Sequence, residues 1–561
     1  MSALIECVPN FSEGRDPEVI RQITAAVESV EGATLLHFDP GRATNRTVVT
    51  FAGPPEPVVE AAFRAIARAA ELIDMSRHRG EHPRIGATDV CPLVPISGIS
   101  MEETAALARR LGERVGRELG IPVYLYEAAQ PDPARRDLSI IRAGEYEGLP
   151  RKLQDPAWKP DYGPAGFNPR TGATVIGARD FLVAFNVNLN TTSTRRANAV
   201  AFDVREIGRP RREGDSLTGP IVRDPAGNPE MVPGSLKAVK AIGWYIPEYG
   251  IAQVSMNLTN LRVTPLHLAF EETCRRAEAR GLRVTGSELV GLIPRAAILE
   301  AGRYYLRKQQ RSVGVSEAEL IRIAVRSLGL DELAPFNPEE RIIEYRLQSP
   351  ASRPLARLSV EQFVDETASE SVAPGGGSTA ALVGALGAAL GTMVANLSSH
   401  KRGWDARWAE FSEWAERGQK IKEQLVHLVD DDTRAFNRVI VAAGMPKGTP
   451  DERAAREAAL ESANLGALEV PWQVMRIAFS SFDLLLAMAR EGNPASASDA
   501  GVGALCARAA VRGAWLNVRT NAGSVKNREA IAAILEEGAR IEAEAGQREK
   551  EILKVVDQRM G

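Results

Sequence analysis

Through residue 342, short apolar runs alternate with longer stretches in which apolar positions recur every three or four residues. The short runs predict strands and the longer stretches amphipathic helices. ALIECVP (3–9), ATLLHFD (33–39), RTVVTFAG (46–53) and IPVYLYE (121–127) read as strands. PEVIRQITAAVESV (17–30), PVVEAAFRAIARAAELI (57–73) and MEETAALARRLGERVGREL (101–119) read as helices, with Pro17 suited to a first turn. ATDVCPLVPI (87–96) reads as a buried strand broken by its prolines. The order β-α-β-β-α-β, with an added helix and strand, predicts a ferredoxin-like α/β sandwich.

A turn-rich stretch, 155–180, follows, and then the pattern restarts. FLVAFNVNL (181–189), LKAVKAIGWYI (236–246) and IAQVSMNL (251–258) read as strands, and TRRANAVAFDVREI (194–207) and PLHLAFEETCRRAEARG (265–281) as helices. Two sandwiches in tandem leave a cleft, a common place for a ligand. Residues 212–235 read as a long inserted loop. Beyond SPASRPLAR (349–357) strand signals fade. Helical patterns at 360–369, 380–397, 414–443, 451–471 and 527–546 predict an all-α bundle. The expected fold is therefore α+β, two tandem ferredoxin-like subdomains (1–178 and 179–342), then a linker (343–357) and a helical bundle (358–561).

Composition narrows the picture. The 561 residues are 44% hydrophobic and 25% charged with a net charge of −3, which is ordinary for a globular protein and gives no basic field for nucleic acid. Cys7, Cys91, Cys274 and Cys506 are far apart, so neither a disulfide framework nor a zinc knuckle is suggested. No secretory leader opens the sequence, and a reducing cytoplasm is the expected compartment. AALVGALGAALGTMVANL (380–397) is long and uncharged. Its Ala and Gly content and lack of aromatic anchors favour a central bundle helix over a membrane span, although Gly387 and Gly391 match a membrane-dimer spacing.

RHRGEHPRIG (77–86) contains His78-x-x-Glu81-His82, the string of an inverted zinc-peptidase motif. Zinc ligation needs both histidines on one helix face. Gly80 between them and Pro83 after them oppose a helix, so a loop histidine is expected and no metal.

CVPNFSEGRD (7–16), TNRTVVTFAG (44–53), GEHPRIGATDVCPLVPI (80–96), the stretch 163–189, AIGWY (241–245) and QVSMNLTN (253–260) together resemble the glutamate formimidoyltransferase family. APGGGSTAALVGALGAALGTMV (373–394), LVDDDTRAFNRV (428–439) and GNPASASD (492–499) resemble formimidoyltetrahydrofolate cyclodeaminases. Their order resembles that of the bifunctional formimidoyltransferase-cyclodeaminases, over nearly the whole chain. The resemblance implies an enzyme of histidine degradation that moves a formimidoyl group between N-formimidoyl-L-glutamate and tetrahydrofolate, releasing L-glutamate. It then closes 5-formimidoyltetrahydrofolate to 5,10-methenyltetrahydrofolate and expels ammonia. Polyglutamylated tetrahydrofolate is the implied co-substrate, with no metal or redox cofactor and a homo-oligomer as the assembly. The rivals are a transferase whose helical domain serves assembly, and a folate-binding scaffold without turnover.

Candidate residues come partly from this resemblance, where a match is stated, and otherwise from the chemistry of the residues themselves. His82 matches the catalytic histidine, and an imidazole can exchange protons at neutral pH. Asp39 is a candidate orienter or a turn cap, and His37 a packing residue. Arg42, Asn45 and Arg46 are candidates for holding a substrate carboxylate, or a solvated turn. Asn10 could meet substrate or shape a turn. Gly163, Pro164, Ala165, Gly166, Phe167, Asn168, Pro169, Arg170, Thr171 and Gly172 match the folate-binding loop. Gln253 and Asn257 share a strand face. Gly375, Gly376, Gly377 and Ser378 open a helix whose free amides suit an anion. Asp432 matches the catalytic aspartate, with Asp430 expected to raise its pKa by repulsion. Asn493, Ser498 and Asp499 are pterin contacts or caps.

Overall fold

The computed structural model describes residues 3–41, 45–80, 83–215, 219–347 and 354–560. The chain divides into two compact units, Met1–Ile298 with Val325–Gln348, and Leu299–Ala324 with Ser349–Gly561.

The first unit begins with β1 (Leu4–Cys7), β2 (Asn10–Phe11), α1 (Pro17–Glu28), β3 (Thr34–Gly41), β4 (Arg46–Gly53), α2 (Pro55–Leu72) and β5 (Thr88–Ser97). It continues with α3 (Met101–Arg114), β6 (Val123–Glu127), α4 (Leu138–Arg142), α5 (Glu145–Lys152) and β7 (Thr174–Ala178). β1 and β2 each pair with both β4 and β5, acting as one interrupted strand. β3 flanks β4, and β7 joins β5 in parallel and carries β6 at the edge. Ile5, Cys7, Phe51 and Leu93 from the sheet and Ile23, Ile66 and Leu111 from the helices build the core. The helices start where their caps are. Asp16 accepts from Glu18 N at 2.9 Å, and Ser100 and Glu103 form a reciprocal capping box.

A second sheet follows, from β8 (Val183–Leu189), α6 (Thr194–Val204), the short pair β9 (Arg209–Pro210) and β10 (Met231–Val232) in the inserted loop, β11 (Val239–Ile246), β12 (Ile251–Leu258), α7 (Leu266–Glu278) and β13 (Val284–Val290). Its order is β11-β12-β8-β13, antiparallel throughout. Gly243 lets α6 lie directly on β11, since a Cβ there would sit 2.1 Å from Asn198 N. Next come α8 (Arg295–Lys308), α9 (Glu317–Leu328), α10 (Pro338–Arg341) and α11 (Ile343–Leu347). The segment 299–324 packs with the helical unit: Val313 N donates to Ser412 Oγ at 3.0 Å, and Gly314 abuts Ala415.

The helical unit adds α12 (Val360–Ala368), α13 (Gly376–Ser399), α14 (Trp408–Ala443), α15 (Pro450–Glu491), α16 (Ala497–Ala522) and α17 (Arg528–Met560). α13 is the one helix among the described residues long and apolar enough to cross a membrane, and 56% of its apolar window is buried inside the bundle. Its glycines admit neighbours closely: a Cβ on Gly387 would meet Gly503 O at 2.8 Å. The mixed α/β part and the helical part follow the sequence expectation.

Five elements depart from it. β5 is continuous through Pro92 and Pro95, and Pro92 uses its carbonyl, which accepts from Val8 N at 3.2 Å. α15 runs through Pro471 instead of ending there. Pro471 has no N–H for the carbonyl four residues back, and Asn521 Nδ2 on α16 donates to that carbonyl, Ala467 O, at 2.7 Å. β7 lies inside the stretch read as turns, and β13 and α16 carried no sequence expectation. His37, expected to pack, is exposed, and the irregularity between Leu35 and His37 turns Leu36 inward instead.

Candidate functional sites

His82, Glu81 and Arg42 lie outside the described residues. The chain leaves α2 at Leu72 and is non-helical from 73 to 80, so the stretch entering the histidine string is a loop. His78 is buried, and both its ring nitrogens are engaged. Nε2 lies 2.9 Å from Asn45 O, and Arg84 Nε donates to Nδ1 at 3.3 Å. Those partners require a neutral ring with its hydrogen on Nε2. Burial lowers its pKa, only partly offset by the Asn45 carbonyl.

Arg84 is itself buried and anchored by Glu145 at 3.1 Å and Glu147 at 2.7 Å. Arg79, Gly80, Arg84, Gly144, Glu145 and Glu147 line an open groove of about 450 Å³ beginning at the residue before Glu81. Glu145 has φ +53°, a conformation that costs energy for a side-chain-bearing residue.

Asn45 and Arg46 do not present free groups here. Asn45, at φ +47°, accepts from Gly14 N at 3.0 Å and donates to Arg79 O at 3.0 Å, tying three loops together. Arg46 donates twice to Asn10 Oδ1, at 3.0 and 2.7 Å, and lies 3.6 Å from Asp89. Burial draws the Arg46 pKa down to about 10, against the pull of Asp89. Asp89, fully buried, also holds Arg142 and accepts from Ile85 N at 3.1 Å. Neither Asp89 nor Arg142 was singled out from sequence, and a lone charge inside an apolar run (TDVCPLV) is the signal that was available. Asp39 is exposed on β3, paired with Val48 through the strand ladder, and its carboxylate makes no hydrogen bond or ion pair among the described residues.

The 163–172 loop is anchored at its base and open at its tip. Gly163, Pro164, Ala165 and Gly166 are exposed. Gly163 adopts φ +80°, and a Cβ there would lie 2.4 Å from Ile121 O. Phe167 packs on Tyr146 with ring centroids 5.5 Å apart, and Tyr146 Oη donates to Pro169 O at 2.5 Å. Asn168 Oδ1 accepts from Arg170 N at 2.9 Å, and Arg170 O accepts from Met75 N at 2.9 Å. Thr171 O accepts from Ala87 N at 2.8 Å, and Gly172 bridges Gly86. The loop thus lies directly against the segment that follows Pro83, joining two motifs more than 70 residues apart in sequence.

Gln253 sits, fully buried, in a polar row across the second sheet. It accepts from Trp244 Nε1 at 3.2 Å and donates to Asn188 Oδ1 at 2.8 Å and Glu288 Oε2 at 3.2 Å. Asn257 on the same face is exposed. Asn186 and Asn188 were overlooked, though their alternation in FNVNL marks a polar face.

In the helical unit the three aspartates separate. Asp430 is buried and accepts from Leu355 N at 2.8 Å and Ala356 N at 3.2 Å. Asp431 pairs with Arg434 on the surface. Asp432 turns to the start of α13, where its Oδ2 accepts from Ser378 N at 2.9 Å and Ser378 Oγ at 3.2 Å. Gly377 makes this approach possible, since a Cβ there would meet Asp432 Oδ1 at 2.2 Å. Gly375 is the N-cap, and Gly376 faces Asn517. The anion at this helix start is the chain's own carboxylate. Burial raises the Asp432 pKa, and Ser378 opposes it. Asp430 is not the cause, contrary to the repulsion expected from sequence.

Asn493 and Asp499 are not beside Asp432. Asn493 N donates to Ser398 Oγ at 2.8 Å, and its side chain caps a short turn by accepting from Ala495 N at 3.3 Å. Ser378 and Ser398 lie at opposite ends of α13, about 30 Å apart at ~1.5 Å per residue. Ser498 is exposed and Asp499 half-buried. The sequence grouping of these residues with Asp432 does not hold within one chain.

A family model for the formiminotransferase domain, N-terminal subdomain, matches residues 4–179, one for the formiminotransferase domain matches 184–348, and one for formiminotransferase-cyclodeaminase matches 359–540. The formimidoyltransferase-cyclodeaminase of Gallus gallus is 44% identical over 560 residues, covering 100% of both chains. This chain belongs to the formimidoyltransferase-cyclodeaminase family. Each half of such a chain also has a stand-alone relative. The glutamate formimidoyltransferase of Streptococcus pyogenes is 40% identical over 55% of this chain and 94% of its own. The methenyltetrahydrofolate cyclohydrolase of Methylorubrum extorquens is 37% identical over 35% of this chain and 95% of its own. The boundary between those two halves coincides with the change from strands to helices.

Proposed function

We propose that the chain performs both reactions for which its full-length relatives are named. In the first, N5 of tetrahydrofolate attacks the amidine carbon of N-formimidoyl-L-glutamate, and the bond from that carbon to the glutamate nitrogen breaks. N5 loses a proton and the glutamate nitrogen gains one, work suited to a histidine at 82. In the second, N10 attacks the same carbon and gives up its proton, the bond from that carbon to the terminal nitrogen breaks, and that nitrogen leaves as ammonia as the 5,10-methenyl product forms. The departing nitrogen needs a proton, and burial raises the pKa of the Asp432 carboxyl, which suits it to carry one. The observation that carries the reading is full-length similarity at 44% identity. In the site itself, support comes from the 163–172 loop against the histidine segment and from Asp432 at the glycine-rich helix start.

The finer parts of the reading have their own support. Both sheets order the strands of a βαββαβ unit 2-3-1-4, the ferredoxin-like pattern. The co-substrate is tetrahydrofolate, taken in polyglutamylated form, with no metal, in the cytoplasm. The assembly is a homo-oligomer. Leu386, Met393 and Leu397 on α13 and Val502, Leu505 and Leu516 on the adjoining α16 are each 38–53% exposed and form one apolar face, suited to a second copy. Antiparallel pairing of α13 across a two-fold axis brings the Asn493–Asp499 segment of one copy to Asp432 of the other.

The test is incubation with N-formimidoyl-L-glutamate and tetrahydrofolate, following methenyl absorbance and ammonia. Equal release of both supports the proposal. Glutamate without ammonia leaves a transferase alone, and loss of absorbance from separately supplied 5,10-methenyltetrahydrofolate makes the helical half a cyclohydrolase, the activity for which the Methylorubrum relative is named.

A further inference from the structure

One face of the second sheet carries a polar arrangement, largely buried, that proton transfer does not require. Across the strand register, Trp244, Gln253 and Asn188 stand in one row, and Ser255, Asn186 and Glu288 in the next. The indole Nε1–H of Trp244 can only donate, so Gln253 must turn its oxygen to it. The Gln253 amide nitrogen is therefore aimed at Glu288 Oε2, 3.2 Å away, and Asn186 Nδ2 donates to the same oxygen at 3.2 Å. Asn188 takes the other Gln253 hydrogen on its oxygen and passes its own amide hydrogens to Glu332 at 2.6 Å. Gly286 leaves room for that, since a Cβ there would strike Glu332. One aromatic N–H thus fixes the orientation of the linked amides, and they hold the half-exposed Glu288 carboxylate in place. Its other oxygen meets the Tyr249 hydroxyl at only 3.4 Å. Trp244 and Tyr249 are 42% and 44% exposed at the edges of this carboxylate.

From this geometry we infer that Glu288 receives the pyrimidine edge of the reduced pterin. That edge offers two parallel N–H donors, from ring N3 and the 2-amino group, which match the two oxygens of a carboxylate. The flanking Trp244 and Tyr249 suit the flat bicyclic ring. The formimidoyl amidinium of the other substrate is also a planar N–C–N donor fork, but it brings no ring for the aromatics to cover. The pterin is therefore the occupant, with Gln253 and Asn186 as positioning residues for Glu288. The inference rests on the proposed transferase reaction, and a wild-type protein without that reaction would remove the premise rather than the site.

The experiment is steady-state transferase kinetics and anaerobic calorimetric titration with tetrahydrofolate, on wild type, Glu288→Gln and Trp244→Leu. Glu288→Gln keeps the shape and the amide contacts but loses the charge. Its tetrahydrofolate KM and Kd should rise about 10- to 100-fold, as expected for charge-assisted hydrogen bonds, with the KM for N-formimidoyl-L-glutamate unchanged. Trp244→Leu should weaken tetrahydrofolate binding in the same direction, and thermal unfolding shows whether each variant is folded. A tetrahydrofolate carrying a methyl in place of the 2-amino group should bind wild type as weakly as tetrahydrofolate binds Glu288→Gln, and should lose nothing further on that variant. An unchanged Kd for tetrahydrofolate in folded Glu288→Gln, or a rise confined to the KM for N-formimidoyl-L-glutamate, would overturn the assignment.

Discussion

At the scale of single residues, burial sorts carboxylates that look alike in sequence. Asp430, Asp431 and Asp432 are consecutive, yet one caps two backbone amides, one pairs with a surface arginine and one sits against Ser378. Asp432→Asn should therefore stop methenyl and ammonia formation while glutamate release continues, and full ring closure in that variant would move the proton donor elsewhere. Asp430→Ala should lower stability by about 1–3 kcal/mol in denaturant titration, because two buried N–H groups lose their acceptor. Asp431→Asn should change neither property. Glu6 on β1 is a different case. Burial, opposed by Arg179 and reinforced by Glu344, pushes its pKa from 4.5 up to about 7. The folded chain therefore binds this proton more tightly than the unfolded chain, so the stability it contributes is complete below about pH 4.5 and is lost as pH rises through about 7. Glu6→Gln should remove that loss, worth up to about 3 kcal/mol at pH 8, and a chevron midpoint with the same pH dependence in both proteins would refute it.

At the scale of elements, close approaches replace side chains. α13 meets the Asp432 carboxylate through Gly377, so Gly377→Ala should abolish ring closure by displacing that carboxylate, with the helical unit still folded by circular dichroism. α15 passes Pro471 because α16 satisfies the freed carbonyl. Asn521→Ala should then destabilise the helical unit by about 1–3 kcal/mol without touching the transferase reaction.

At the scale of the molecule, the two proposed reactions fall in stretches matched by different family models, 4–348 and 359–540. His82→Ala should cut the transferase rate roughly 10²–10⁴-fold and spare ring closure on supplied 5-formimidoyltetrahydrofolate. Mixed with Asp432→Asn protein, it should restore ammonia release from N-formimidoyl-L-glutamate, and no recovery would mean the intermediate never leaves the assembly that makes it. Leu505→Asp on the apolar α13/α16 face should reduce the mass seen by light scattering and lower ring closure more than transfer. Unchanged mass would exclude that face as the contact between copies.

What the sequence determined by itself is what local chemistry controls. Hydrophobic period separated the α/β part from the helical part, Pro17 marked the start of the first helix, and Gly80 with Pro83 spoke against a helix in the histidine stretch. Motif matches pointed to the family and to Asp432 without any geometry. Tertiary structure alone decided the rest, because it depends on partners far away in the chain. Pro471 could stay in a helix only once Asn521 reached Ala467, and Pro92 could stay in a sheet only because its carbonyl was the group required. Arg46 and Asn45 read as substrate binders until Asn10, Asp89, Gly14 and Arg79 were seen to occupy them. Glu288 carried no sequence signal at all, since a carboxylate becomes a directed acceptor only when amides from two neighbouring strands are turned toward it.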